Sequence, residues 1–332
     1  MLEGARVVVP AARFQRDAHT RLPRAKALST LRHMRLPPPL SAGARVALVT
    51  PAGPLRDASE LQAALDHATS LGWEPLAAPH VLARHGYLAG TDEQRARDFN
   101  AVLRDSTVDG IWCVRGGYGA MRILESLDYD ALRRHPRPLI GYSDITALHC
   151  AVGVRCGVVS YHGPTARGEL TPFSRESLVR AVVEQRDPCG HAPEARTLRG
   201  GRAAGQLVGG NLALLAALCG TPFAPEYRDA ILVLEDVGEA TYRIDRMLQQ
   251  LRLAGALGRL AGIAFGQFTE GTDSPDTPNL ALDDVLREAA DAAGVPAMAG
   301  IPLGHVRDQW TIPLGARAEL DADARTLHVL PD

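Results

Sequence analysis

Residues 139–149 read "LIGYSDITALH": a short apolar run from Leu139 to Gly141, then Tyr142, the polar pair Ser143 and Asp144, and a segment whose apolar positions suit a helix. A strand that enters a helix through a serine has two meanings. Ser and Asp accept hydrogen bonds from the unpaired N–H groups of a first helical turn, which makes Ser143 a fitting cap. A sharp turn between strand and helix also holds a nucleophilic hydroxyl clear of the backbone, as the GxSxG elbow does. That elbow is half made here, because Gly141 stands two residues before Ser143 but Ile145 stands two after it. The stretch by itself leaves both meanings open.

The same alternation recurs on the N-terminal side. "ARVALVT" (44–50) is an apolar run of strand length, and Leu61, Ala64, Leu65, Ala68 and Leu71 follow it at helical spacing. "GIWCVR" (110–115) leads into "GGYG" and an expected helix over 120–127. Strand and helix alternating at these intervals predict an N-terminal α/β domain over 44–160, a parallel sheet covered by helices on both faces. Ligands of such sheets bind at the carboxyl ends of the strands, where "GGYG" and Ser143 both fall. Residues 161–204, with Pro164, Pro172, Pro188 and Pro193, are expected to connect the domains with one short helix at most. A second domain follows over 205–332. In it "GQLVGGNLALLAALCG" turns from strand to helix at Asn211, "AILVLEDV" (230–237) is a strand ending in two acids, and "GARAELDADARTLHVL" is a closing hairpin.

Composition narrows the chemistry. Of 332 residues only Lys26 is a lysine, and it precedes the folded body, so a Walker lysine, a Schiff-base lysine and a Ser-Lys dyad all become poor fits. Any cation the chemistry uses is then arginine, histidine or backbone N–H. Cys113, Cys150, Cys156, Cys189 and Cys219 are scattered and form no CxxC pair, as expected of reduced core thiols. A net charge of −2 gives no bulk attraction to nucleic acid or anionic lipid, and no apolar run reaches the roughly 20 residues of a membrane span. Residues 1–33 hold seven basic and two acidic residues without hydrophobic periodicity, and their "VVVP" is too short for the apolar core of a secretory signal. Residues 1–43 are therefore expected to be a disordered extension, or one preceding the true start near Met34.

Three further features bear on function. "RGGYG" (115–119) offers backbone N–H groups ahead of a helix, which suits a phosphate, an oxyanion or a plain tight turn; its spacing is not GxGxxG, since Arg122 takes the third position after Gly119. Among eleven histidines, His305 in "GIPLGHVRDQ" best suits a general base, with His149, His162 and His328 as alternatives. His149 lies about two helical turns beyond Ser143 and is expected to point away from it. Glu235 ends an apolar strand, where a carboxylate either faces a cleft or caps the next helix. With no HExxH and no close group of ligands, no metal or other cofactor is expected.

Taken in order, "GYLAGTDEQRARDFNAVL", "DGIWCVRGGYGAMRIL", "LIGYSDITALH", "GGNLALLAALCGTPF", "LVLEDVGEATYRIDRMLQQL" and "GIPLGH" resemble the serine LD-carboxypeptidases of murein recycling, the muramoyltetrapeptide carboxypeptidases. The similarity spans about residues 44–330, and the microcin-immunity peptidases are a close branch. The resemblance implies a Rossmann-like or flavodoxin-like N-terminal domain and a smaller C-terminal α/β domain of the swivelling β/β/α type. It implies Ser143 as nucleophile, His305 as general base, Glu235 as the acid that orients it, and the backbone N–H groups of Gly117 and Asp144 as the oxyanion hole. The implied substrate is the L-Ala-D-Glu-meso-diaminopimelate-D-Ala stem peptide, cut before its terminal D-Ala by a cytoplasmic homodimer; the alternative is an aminoacyl-nucleotide conjugate. A free carboxylate must then be held without lysine, and Arg115, Arg243 and Arg246 are the candidates.

Overall fold

The computed structural model of the chain describes residues 34–274 and 278–331. Its first sheet follows from the alternation above: β1 (Arg45–Val49), α1 (Ala58–Ser70), β2 (Glu74–Ala77), α2 (Asp92–Arg104), β3 (Gly110–Cys113), α3 (Tyr129–Arg134), β4 (Leu139–Gly141), α4 (Thr146–Cys156) and β5 (Ser160–His162). The five strands are parallel in the order β5-β4-β3-β1-β2, the doubly wound order of flavodoxin-like sheets. Val46, Leu48, Ile111, Trp112, Leu139 and Ile140 are buried, the continuous apolar pattern of strands covered on both faces. Local signals set the helix ends. Thr91 and Gln94 form a reciprocal capping box at the start of α2, and Gly157 adopts φ +63° to stop α4.

The chain continues through α5 (Pro172–Val182), β6 (Gly190–His191), β7 (Arg196–Arg199), β8 (Arg202–Asn211), α6 (Leu212–Leu218), β9 (Ala230–Val237), α7 (Thr241–Leu253), β10 (Gly262–Thr269), α8 (Leu282–Ala293), β11 (Ala297–Ala299), β12 (Ile312–Leu314), β13 (Arg317–Asp321) and β14 (Thr326–Val329). The second sheet has the order β6-β14-β13-β8-β9-β10-β11-β7, with β8 to β11 parallel and antiparallel strands on either edge. The fold is thus mixed α/β with two sheets. Strand β12 comes late in the chain yet pairs antiparallel with β5, adding an edge to the first sheet.

Two segments differ from the sequence reading. Residues 161–204 supply the 11-residue α5 and the edge strands β6 and β7, besides a connection. Their prolines misled because Pro172 occupies the first turn of α5, where a missing N–H leaves no bond unmade. Residues 1–33 of the expected extension lie outside the described residues, but residues 34–43 join the fold. Leu40 is fully buried, its N–H donates to Val182 O at 2.8 Å, and its side chain fills the space Gly110 leaves open.

One apolar cluster runs between the sheets through Leu148 of α4, Leu212 and Leu215 of α6, Leu234 of β9 and Phe265 of β10. Each of these buried side chains contributes about 1.5–3 kcal/mol by leaving water. Beside it, the Asn211 N–H donates to Thr146 Oγ1 at 2.9 Å. The end of β8 is thereby fixed against the start of α4, and the tips of β4 and β9 are carried toward each other.

Candidate active site

Ser143 answers the question its sequence leaves open. A cap residue has an extended backbone and a side chain bound to an amide of the first turn, whereas Ser143 has φ +66° and its hydroxyl makes no capping bond. A left-handed non-glycine residue costs about 1–3 kcal/mol and persists only where its surroundings hold it. Here they do. A Cβ at Gly141 would lie 3.0 Å from Cys113 Cβ and 3.1 Å from Ile145 Cγ1, so the fully buried Ile145 uses the space that Gly141 vacates. This is why the elbow tolerates isoleucine where GxSxG has glycine.

His149 lies under this turn instead of pointing away from it. The 3-10 turn Ser143–Ile145 intervenes before α4, and α4 then presents His149 to the sheet, with Nε2 2.8 Å from Gly141 O and Nδ1 2.9 Å from Ser160 Oγ. Burial lowers its pKa to about 4, so the neutral ring donates from Nε2 to the elbow carbonyl. Of the other two alternatives, His162 is fully buried with neither ring nitrogen hydrogen-bonded among the described residues, and His328 pairs with Asp187 at 2.8 Å.

The "GGYG" loop crosses directly over the serine at the β1/β3 switch point of the sheet. The Gly53 N–H donates to Gly116 O at 3.0 Å, and a Cβ at Gly117, whose φ is +104°, would lie 3.1 Å from Gly53 Cα. A Cβ at Gly116 would meet Ser143 Cβ at 2.8 Å and Oγ at 3.1 Å. Gly116→Ala is therefore expected to displace the hydroxyl and lower kcat about 100-fold with the melting temperature changed far less, as turnover and thermal melts on one preparation will show.

Asp144 ties loop to elbow. Its Oδ2 accepts the Ala120 N–H at 2.7 Å, at the start of a 3-10 helix, Ala120–Ser126, that takes the place of the helix expected over 120–127. The Asp144 N–H itself belongs to the first turn after Ser143, where no intrahelical acceptor exists. Burial raises the Asp144 carboxyl to about 6 against hydrogen bonds from Ala120 and Gly119 that favour the charge. A carboxyl raised on folding binds more protons folded than unfolded, so its contribution to stability is lost as pH rises from about 4 through about 6. Asp144→Asn should lack this loss. Chemical denaturation at pH 4 and pH 7 is expected to show the variant gaining on the wild type by on the order of 2 kcal/mol.

Glu235 and His305 arrive from the second sheet. Glu235 is fully buried near the end of β9, and its Oε2 accepts from His305 Nδ1 at 2.8 Å. Because Nδ1 keeps its proton and donates it in this hydrogen bond to the carboxylate, Nε2 is left as the basic nitrogen. The His305 ring packs at a 59° tilt against Tyr142, the residue before the serine, with centroids 4.8 Å apart. Gly304 makes this possible: it has φ +115°, and a Cβ there would lie 2.8 Å from both Cβ and Oε2 of Glu235. Gly116 thus lies against Ser143, and His305, held by Glu235 of the second sheet, lies against the neighbouring Tyr142.

The chain matches the LD-carboxypeptidase N-terminal domain over residues 46–163 and the LD-carboxypeptidase C-terminal domain over 204–320. It belongs to the LD-carboxypeptidase (peptidase S66) family. It is 37% identical to the murein tetrapeptide carboxypeptidase of Pseudomonas aeruginosa over 293 residues, 84% of this chain and 94% of that one. The structure of a muramoyltetrapeptide carboxypeptidase from Oxalobacter formigenes superposes with TM-score 0.77 at 30% identity, covering 86% of this chain and 98% of that one. MccF in complex with glutamyl sulfamoyl guanosine superposes with TM-score 0.82 at 21% identity over 90% of this chain and 98% of that one, a likeness of fold.

Within this member of the family the predicted arginines separate. Arg115 follows β3 beside the "GGYG" loop, half-buried, with Nη1 donating to Pro54 O. Arg243 and Arg246 lie on the first turns of α7, where Arg243 donates to Tyr242 and Glu239 and both guanidinium groups stack on the Tyr242 ring. No described contact joins them to Glu235 or His305. The sequence reading missed Arg167, which follows β5, donates to Glu60 Oε1 at 2.5 Å, and lies close enough to Arg115 and Tyr142 to shift the pKa of each. Its signal was an arginine beyond the carboxyl end of a parallel strand, obscured by reading that segment as a connection. Among the described residues, no three His, Cys, Asp or Glu side chains are grouped to hold a metal ion, and no helix is long and apolar enough to cross a membrane.

Proposed function

We propose that the protein is a serine LD-carboxypeptidase that releases the terminal D-alanine of murein tetrapeptides by cutting the bond after meso-diaminopimelate, without a metal. The hydrogen bond from His305 Nδ1 to the buried Glu235, beside a left-handed Ser143, is the observation that carries this reading. His305 Nε2 takes the Ser143 proton as Oγ attacks the carbonyl before D-alanine. The Gly117 and Asp144 N–H groups receive the oxyanion, each worth about 3 kcal/mol of barrier. The protonated imidazole, balanced by Glu235, gives its proton to the departing D-alanine amine. Water, activated by the same nitrogen, then frees the acyl group.

Arg115 and Arg167 supply the positive charge for the free carboxylate of the leaving D-alanine. Arg167→Leu is expected to raise KM about tenfold and leave kcat within threefold, and a substrate amidated at its C-terminus should show no difference between variant and wild type. Steady-state kinetics on the two substrates decides this. Mass spectrometry of a tetrapeptide digest, with and without EDTA, tests the function as a whole: loss of one D-alanine in both supports it, and no loss in either sinks it. Cleavage of an aminoacyl-sulfamoyl-nucleotide in place of the tetrapeptide would move the enzyme to the MccF-like alternative. A cytoplasmic homodimer is part of the same proposal, and light scattering of the purified protein tests the dimer.

A further inference from the structure

Two tyrosines stand out of the surface next to the proposed catalytic loop. Tyr87 is 67% exposed and Tyr118 is 52% exposed, and their rings meet edge to face with centroids 5.5 Å apart. Tyr118 belongs to "GGYG", two residues beyond the Gly116 that touches Ser143, so its backbone lies within about 7 Å of the loop's contact with the nucleophile. Tyr87 lines a cleft of about 460 Å³ together with His85, Leu88, Asp92, Glu93 and Arg122. Its walls are held in place. Arg122 is clasped by Asp92 through bonds of 2.7, 2.9 and 3.0 Å. The buried Leu88 packs under Gly119, where a Cβ would lie 2.6 Å from its Cδ2.

We propose that this cleft is a glycan subsite that holds the N-acetylated sugar of a muropeptide while its stem peptide lies across Ser143. The inference rests on the murein-peptide reading above and extends it to the part of the substrate that does not react. The face of a sugar ring presents C–H groups of slight positive charge, which the negative face of a tyrosine ring attracts, while hydroxyls around its rim donate to carboxylates. Exposed rings beside Asp92 and Glu93 offer both. The charge balance suits a neutral sugar better than a nucleotide: Asp92 is paired with both Arg122 and Arg95 and Glu93 is ionised, so the cleft holds no excess cation for a phosphate. The distance also fits. Three stem residues separate the muramoyl group from the scissile bond, a span of roughly 10 Å when extended, comparable with the path from Ser143 along the loop to the rings.

The binding test uses a ligand without a scissile bond, N-acetylglucosaminyl-N-acetylmuramyl-L-alanyl-D-isoglutamine, followed by saturation-transfer NMR on the full-length protein. Saturation is expected on the sugar ring protons, to fall at least fivefold in Tyr87→Ala and to return in Tyr87→Phe, which keeps the ring. No sugar saturation in the wild type, or an unchanged level in Tyr87→Ala, would overturn the subsite. Tyr87-dependent saturation of adenosine monophosphate in place of the sugar would overturn it in favour of a nucleotide. The kinetic test compares a disaccharide-tetrapeptide with the free tetrapeptide. The wild type should favour the first about tenfold in kcat/KM, and Tyr87→Ala should erase the preference while leaving the free tetrapeptide within twofold; equal losses on both substrates would count against a glycan site. If neither tetrapeptide is cleaved, the proposed hydrolysis fails, and the NMR result still decides the subsite.

Discussion

Ser143→Ala is expected to lower D-alanine release from a murein tetrapeptide by ~10⁴ to 10⁶-fold, leaving only what the oxyanion donors and binding accomplish without a nucleophile. The fold should be indifferent to the change. The hydroxyl makes no capping bond, and alanine inherits the same left-handed backbone, φ +66°. Ser143→Gly separates catalysis from strain. Glycine accepts positive φ without cost, so that variant should be equally inactive yet about 1 kcal/mol more stable than the wild type. Denaturant titration of the three proteins, beside chromatographic assay of D-alanine, makes the comparison. An inactive glycine variant that is less stable would mean that the hydroxyl supports the fold, and residual activity above a hundredth in either variant would remove Ser143 as nucleophile.

Glu235→Gln should cost roughly 10³ to 10⁴-fold in kcat, the scale seen when the acid of such a triad loses its charge but keeps its shape. The amide can still meet His305 Nδ1, but it no longer balances the imidazolium formed as Ser143 is deprotonated. Its new N–H groups must also be buried, because Glu235 is fully buried and its Oε1 has no hydrogen-bond partner among the described residues. An unmatched amide there costs about 1–3 kcal/mol, so a lower melting temperature should accompany the lost turnover. Asp236 is the control. It accepts from Asn211 Nδ2 at 2.9 Å and from the Ala213 N–H at 2.9 Å, an anchor for α6 and not for the imidazole. Asp236→Asn is expected to keep most of kcat. Should it instead match Glu235→Gln, the orienting role would not belong to Glu235 alone.

Much was legible in the sequence because it depends on neighbours along the chain. Apolar runs of strand length and helical spacing fixed the alternation of β1 to β5, and alternation is what makes a sheet parallel. Alternating residues also gave the hairpin β13–β14, with Ala318 opposite Val329 and Leu320 opposite Leu327. The ordered motifs from residue 86 to residue 305 pointed to the family. The chain alone did not say whether Ser143 capped a helix, since either role begins with a serine after a strand. The tertiary structure decided that by setting its φ, a property held by Gly141, Ile145 and Gly116 from three directions. It also turned His149 under the elbow, made strands of the presumed connection, and brought in Arg167. The Gly116 contact with Ser143, the pairing of β6 and β7 with later strands and the Arg167 bond to Glu60 join residues far apart in sequence, where distance along the chain carries no record of distance in space.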